Sequence, residues 1–361
     1  MKKNLVSMTL LAGALAAMTA SAQVEVTITG STAFRAITID RAAFLYDSGS
    51  MLGVTNNAST GQITYSGTIS NKVTSLRNTP VKIRLSFSGS GAGMLAVKNL
   101  TPVPTSETPG VNVNKVPDIA LSDVFPGAAT PPIAESAFDR DVLGVVPFVY
   151  VKNNALSGIV SITREQAVLL MTASGSIGGI NGMPASYLGG TGGGASNPIY
   201  LIGRDPGSGT RISVHKDIGF NGTPLLWATN GAGQYVTTNG YSSGGLERDV
   251  IKGKSDAIGY LGLADAAAIA GFATPISYQG VAYSVAAVQN GNYGLWGYEH
   301  IVNRAGGLSA NQALVRDALK AAITDQNFQT TNTLYNVSFV DLQNMQVERG
   351  SDGGPITSLN F

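Results

Sequence analysis

Residues 24–46 read VEVTITGSTAFRAITIDRAAFLY. Val24 to Thr29 alternates and is rich in β-branched residues, the pattern of a strand. It runs into the polar turn Gly30-Ser31-Thr32, after which Phe34, Ile37, Ala42, Phe44 and Leu45 stand among Arg35, Asp40 and Arg41, the mixture of an amphipathic helix over Phe34 to Tyr46. Strand, glycine turn and helix in immediate succession point to an α/β protein.

Three other segments share that glycine and hydroxyl chemistry. Val81 to Phe87 is a second alternating strand, followed by Ser88-Gly89-Ser90-Gly91-Ala92-Gly93 and an expected short helix over Met94 to Leu100. Asp118 to Leu121 leads as a third strand into Ser122-Asp123. Pro198 to Gly203 is an apolar strand running into Arg204-Asp205-Pro206-Gly207-Ser208-Gly209-Thr210, with a helix expected from Arg211 to Ile218 and Gly219 placed to close it. Taken singly, each turn is explained by an N-cap. Taken together they suit an oxyanion. The first turn of a helix leaves its amides unpaired and carries about half a positive charge, so small residues let an anion reach those donors. Arg204 adds a planar fork suited to a tetrahedral oxyanion.

Asp123 is the odd member, because a carboxylate repels anions. It fits a ligand that keeps a proton: phosphate near neutrality can donate to it, whereas fully ionised sulfate offers only acceptors. The plain alternative is a turn residue ahead of Pro126. Asp205, next to Arg204, reads equally as a salt-bridge partner for that guanidinium and as a turn residue before Pro206.

Elsewhere, Val142 to Val151 is almost wholly apolar, a strand buried on both faces that would carry the chain between lobes. Thr163 with Gln166, and Ser309 with Gln312, form capping boxes for helices through Met171 and over Ala310 to Ile323. A helix over Leu246 to Lys252 leads into the strand-like Ala257-Ile258-Gly259-Tyr260. Residues 48 to 80, rich in Ser, Thr, Asn and Gly, read as a hairpin-like insertion. Trp227, Trp296, Met171 and Met183 read as packing residues. No internal repeat is evident.

Lys2 and Lys3, the apolar run from Leu5 to Ala17 and the small-residue site Ala20-Ser21-Ala22 read as a secretory signal peptide over residues 1–22. Its apolar part is shorter than the roughly 20 residues of a membrane-spanning helix, and no later stretch reaches that length uncharged. Cleavage leaves 339 of the 361 residues, enough for roughly two domains, and takes the formal charge from +1 to −1 with the loss of two lysines. With 12% charged residues and no basic run, the chain has no electrostatic footprint for nucleic acid. It has no cysteine, hence neither disulfide nor lipid anchor at the cleavage site. The expected product is a periplasmic or secreted protein, monomeric and not inserted in a membrane.

Catalysis finds little support. His215 and His300 are the two histidines, Pro206 occupies the first glycine position of a nucleophile elbow around Ser208, the Gly-Ser-Gly-Thr segment lacks the lysine of a P-loop, and no metal-ligand cluster is present. No cofactor is expected.

In order and form, the four segments resemble the periplasmic phosphate-binding proteins of bacterial ABC importers, the PstS type, whose strands end in a Gly-Ser/Thr turn, Gly-Ser-x-Gly-Gly and Ser-Asp, and whose second lobe supplies Arg-x-x-Gly-Ser-Gly-Thr. Ala257 to Tyr260 resembles that family's Ala-Ile-Gly-Tyr strand, and Gly291 to Trp296 a late family segment. The likeness covers most of residues 24 to 265. It implies a type II periplasmic binding protein fold: two lobes, each a mixed sheet flanked by helices, hinged around a ligand cleft, with lobe 1 over 23–147 plus 266–361 and lobe 2 over 148–265. It implies inorganic phosphate held by Ser31, Thr32, Ala33, Phe34, Ser90 and Asp123 from one lobe and by Arg204, Ser208, Gly209 and Thr210 from the other, then delivered to a membrane permease. The chain departs from the family pattern at Arg35, where relatives carry proline, and in the longer intervals from Gly30 to Gly89 and from Ser90 to Asp123. A surface or structural protein that keeps the fold without transport, with the 48–80 insertion and Asn327 to Phe361 as its working parts, stays open as an alternative. So does a binder of another oxyanion.

Overall fold

Val26 and Ile28 are fully buried, and the strand that carries them, Val24–Gly30, lies parallel between Pro80–Ser86, with Val26 opposite Ile83, and Ile119–Ser122, with Thr29 opposite Ala120. Parallel pairing brings the carboxyl ends of all three strands to one edge, where ligands of open α/β sheets are bound. The Gly30, Ser88-Gly89-Ser90 and Ser122-Asp123 turns therefore emerge side by side. Helices Arg35–Phe44 and Ser90–Asn99 follow the first two. The second begins on Ser90 itself, four residues before the expected Met94, because Gly89 at φ +94° turns the chain directly into it.

The computed structural model describes residues 23–47, 49, 51–57, 62–70, 73–172, 182–191 and 196–359. The signal-peptide expectation lies outside them. Among the described residues one sheet of eleven strands organises the fold, and the long strand Phe138–Asn153 is its shared spine. Its first part pairs antiparallel with Trp296–Arg304, through Pro147 opposite Trp296, and its last part with Ala257–Gly262, from Phe148 opposite Gly262. The buried run anticipated over 142–151 thus passes from one half of the sheet to the other. Beyond the spine, Pro198–Ile202 runs parallel to Ala257–Gly262 and delivers Arg204 and helix Gly209–Ile218 toward the first half. Gly219, at φ +72°, closes that helix as expected. Both capping boxes form: Thr163 and Gln166 exchange bonds of 2.9 and 3.2 Å, and Ser309 and Gln312 cap Ala310–Thr324. Trp227, Trp296, Met171 and Met183 are core residues.

The 48–80 insertion is a hairpin, Leu52–Asn57 with Gln62–Thr68, which pairs onto Pro80–Ser86 and lengthens the sheet. A second hairpin, Val103–Thr108 with Val111–Lys115, fills the long interval before Asp123. Arg84, 1% exposed, joins the second hairpin to the sheet by bonding Glu107 and Glu25, each at 2.9 Å. The C-terminal stretch packs into the first half of the molecule instead of standing off as a surface appendage: Tyr335, Phe339 and Val340 are buried, and Val340 exchanges backbone bonds with Val145. Among the described residues no helix is long and apolar enough to cross a membrane.

Candidate functional site

The four loops meet. From the first half, the Ser90 hydroxyl donates to the Asp123 carboxylate in a short bond and accepts from the Asp123 amide at 3.2 Å. From the second half, the Gly207 carbonyl accepts the Gly91 amide at 3.1 Å, and the Ser213 hydroxyl donates to the Asp123 carbonyl at 3.3 Å. Gly209, the first residue of its helix, lies directly against the Asp123 carboxylate; an added Cβ would fall on it and lie 2.6 Å from Ser90 Oγ. Arg204, 3% exposed, crosses the divide. Its Nε donates to the Tyr241 carbonyl at 3.0 Å, and its Nη2 to the Ser242 carbonyl at 3.1 Å and the Thr32 hydroxyl oxygen at 3.2 Å.

Uncommitted donors gather around this point. The amides of Thr32, Ala33, Gly209 and Thr210 find no acceptor among the described residues, and the Thr32 hydroxyl, which accepts from Arg204, keeps its own proton to give. Other expected contacts are committed locally. Ser31 Oγ accepts the Phe34 amide at 3.2 Å, which removes the Phe34 donor and leaves its ring in the core, edge-on to Phe339. Ser208 Oγ caps its helix by accepting from Arg211 at 3.4 Å. Asp205 is a turn residue: its carboxylate takes the Gly207 amide at 3.0 Å, and the Arg204 guanidinium is placed by carbonyls and Thr32 instead.

The structure adds acidic residues that sequence reasoning missed. Burial pushes the Asp123 carboxyl above its usual range, opposed by the Ser90 hydroxyl and the Arg204 charge. Glu299, fully buried on the Trp296–Arg304 strand, is pushed well above by burial and by Asp123, with the Ser31 hydroxyl opposing. Asp352 accepts the Phe125 amide at 2.8 Å and is raised to about 7 by burial, with the Asp123 charge adding to the rise. Glu247, fully buried, accepts the Tyr260 amide at 3.1 Å; burial drives it up while Arg204 draws it down. No spacing in the sequence marks Glu299 and His300, which lie fully buried and adjacent on their strand. His300 bonds Arg140 at 3.1 Å through Nδ1, and burial holds it well below its usual range, so it stays a neutral core residue. Burial also lowers His215, to about 3. Among the described residues no cluster that could hold a metal is found.

These carboxyls set a pH dependence. An acid whose pKa is raised by folding contributes stability that is complete below its unfolded value near 4 and is lost as pH rises through the folded value, about 7 for Asp352. Thermal unfolding is therefore expected to fall by roughly a few degrees between pH 5 and 8, and Asp352→Asn to flatten the decline. A melting temperature that rises across this range would contradict the assignment.

No family model and no curated protein matches this chain. Solved structures do. A "putative phosphate ABC transporter substrate-binding protein with bound phosphate" from Clostridium perfringens superposes with a TM-score of 0.55 at 17% identity, covering 88% of this chain and 99% of its own. An ABC-type phosphate transport receptor from Vibrio cholerae gives 0.52 at 15% identity, covering 87% and 99%. The chain has the fold of the periplasmic phosphate-binding proteins. A "possible phosphate binding protein" from Planctomyces limnophilus shares it, at a TM-score of 0.50, 14% identity and coverage of 90% and 95%. At these identities the likeness is one of architecture; the ligand is a question for the site itself.

Proposed function

We propose that this chain is an exported solute-binding protein that captures inorganic phosphate between two lobes and passes it to the permease of an ABC importer, acting as a periplasmic monomer after loss of residues 1–22 and without catalysis. One observation carries the reading: Ser90 and Asp123 of one half meet Gly207, Gly209 and Arg204 of the other, with free amide donors from both helix starts around them. A ligand that bridges the halves favours the closed arrangement over the open one. We draw the division between Pro147 and Phe148, where the spine changes partner, and place the return after Tyr278 instead of at residue 266. Ala273–Pro275 and Ser277–Tyr278 pair with the spine's end and with Ser161–Ile162, which belong with the second lobe.

Calorimetric titration of the phosphate-stripped mature protein tests this. Tight one-to-one phosphate binding that sulfate does not disturb is expected. Asp123→Asn replaces an obligate acceptor with a group that can also donate, so it should weaken phosphate about tenfold and admit sulfate as a competitor. Failure of the wild-type protein to bind either anion would sink the transport reading in favour of a surface role.

A further inference from the structure

Beside the Arg204 guanidinium lies a cavity of about 430 Å³, with Thr32, Arg35 and Phe87 on one wall and Ser242, Leu246 and Arg248 on the other. Two of the three groups that hold Arg204, the Thr32 hydroxyl and the Ser242 carbonyl, belong to residues lining this space, so it adjoins the oxyanion site. Its walls come from both halves, so an occupant would be gripped on closure as the anion is.

The charges on the walls are unequally answered. Arg248 is neutralised by Asp265 and Asp249, each at 3.1 Å. Arg35 makes no ion pair or hydrogen bond among the described residues; its charge acts on Asp265 from a distance, and the Asp249 carboxylate on the same wall is held by Arg248. Arg35 opens the helix Arg35–Phe44. The edge of the buried Phe87 and the half-exposed Leu246 add apolar surface to the same walls. A bare tetrahedral ion has no use for this room, for a guanidinium besides that of Arg204, or for the apolar wall.

We propose that the site takes phosphomonoesters of small hydroxy acids, with the phosphoryl group on the Arg204 and Gly209 loops, the short carbon chain against Phe87 and Leu246, and the carboxylate on Arg35. This rests on the oxyanion reading above and extends it to the substituent. The guanidinium recognises the carboxylate by a charge-assisted fork.

The test is titration of the mature protein with inorganic phosphate, 3-phosphoglycerate and glycerol 3-phosphate, two esters of similar size of which only the first carries a carboxylate. The expected result is that 3-phosphoglycerate binds about tenfold more tightly than glycerol 3-phosphate. Arg35→Ala should abolish that preference while inorganic phosphate affinity stays within about twofold. Equal binding of the two esters, or an Arg35→Ala loss shared by all three ligands, overturns the proposal. Phosphate binding with neither ester accepted overturns it and leaves the phosphate reading standing; no binding of any of the three overturns both.

Discussion

Gly209→Ala is expected to cost phosphate affinity by two to three orders of magnitude, that is about 3–4 kcal/mol, while leaving each half of the molecule folded. The methyl group would fall on the Asp123 carboxylate and within 2.6 Å of Ser90 Oγ. Relief requires either that Asp123 swing away, breaking its bond to Ser90, or that the halves part and give up the contact of Gly91 with Gly207. Overpacking of this kind costs about 1–3 kcal/mol, and a lost hydrogen bond to a charged group about 1.5–3 more. Intrinsic helix propensity works the other way, since alanine favours a helix by up to about 1 kcal/mol over glycine. A loss of affinity can therefore not be ascribed to a weakened helix. Calorimetry reads the affinity and small-angle scattering the separation of the halves. Wild-type affinity in the variant would show that Gly209 and Asp123 do not face one another in the bound state.

Local chemistry made much of this site legible in the sequence. Each of the four loops announces itself by a strand pattern followed by glycine or hydroxyl residues, and parallel pairing of Val24–Gly30 with its two neighbours then brings three of them together without further instruction. Capping boxes were readable for the same reason: partners three residues apart need no tertiary context. What stayed hidden depends on distant contacts. The strand Trp296–Arg304 carries Tyr298, Glu299 and His300 in a run that neither alternates cleanly nor is wholly apolar, because both its faces are covered and its register shifts at Glu299 and His300. Asp352 reaches Phe125 across 227 residues, and no spacing rule connects them. The role of Asp205 was undecidable for a related reason. A carboxylate beside an arginine can pair with it or turn the chain, and only the Tyr241 and Ser242 carbonyls, supplied from elsewhere, settle the guanidinium's direction.

Arg204→Ala carries the second large effect, an expected loss of about a hundredfold or more in phosphate affinity, near 3 kcal/mol. The guanidinium is buried, stands between the halves and supplies the positive charge that opposes the burial of Asp123. Alanine removes that charge and takes the guanidinium donor from the Ser242 carbonyl, while the Tyr241 carbonyl keeps the Asp205 amide. Glu247 and Asp265, whose carboxyls Arg204 also draws down, would hold their protons more tightly still. The loss should thus appear in two readouts: weaker phosphate binding, and a steeper fall of thermal stability as pH rises. Arg204→Lys separates charge from geometry. A lysine ammonium restores the field but cannot reproduce the planar fork that reaches two carbonyls and Thr32 together, so it should recover the pH profile more fully than the affinity. Retention of affinity within about threefold in Arg204→Ala would remove Arg204 from the site, whereas full rescue by lysine would show that its charge matters and its geometry does not.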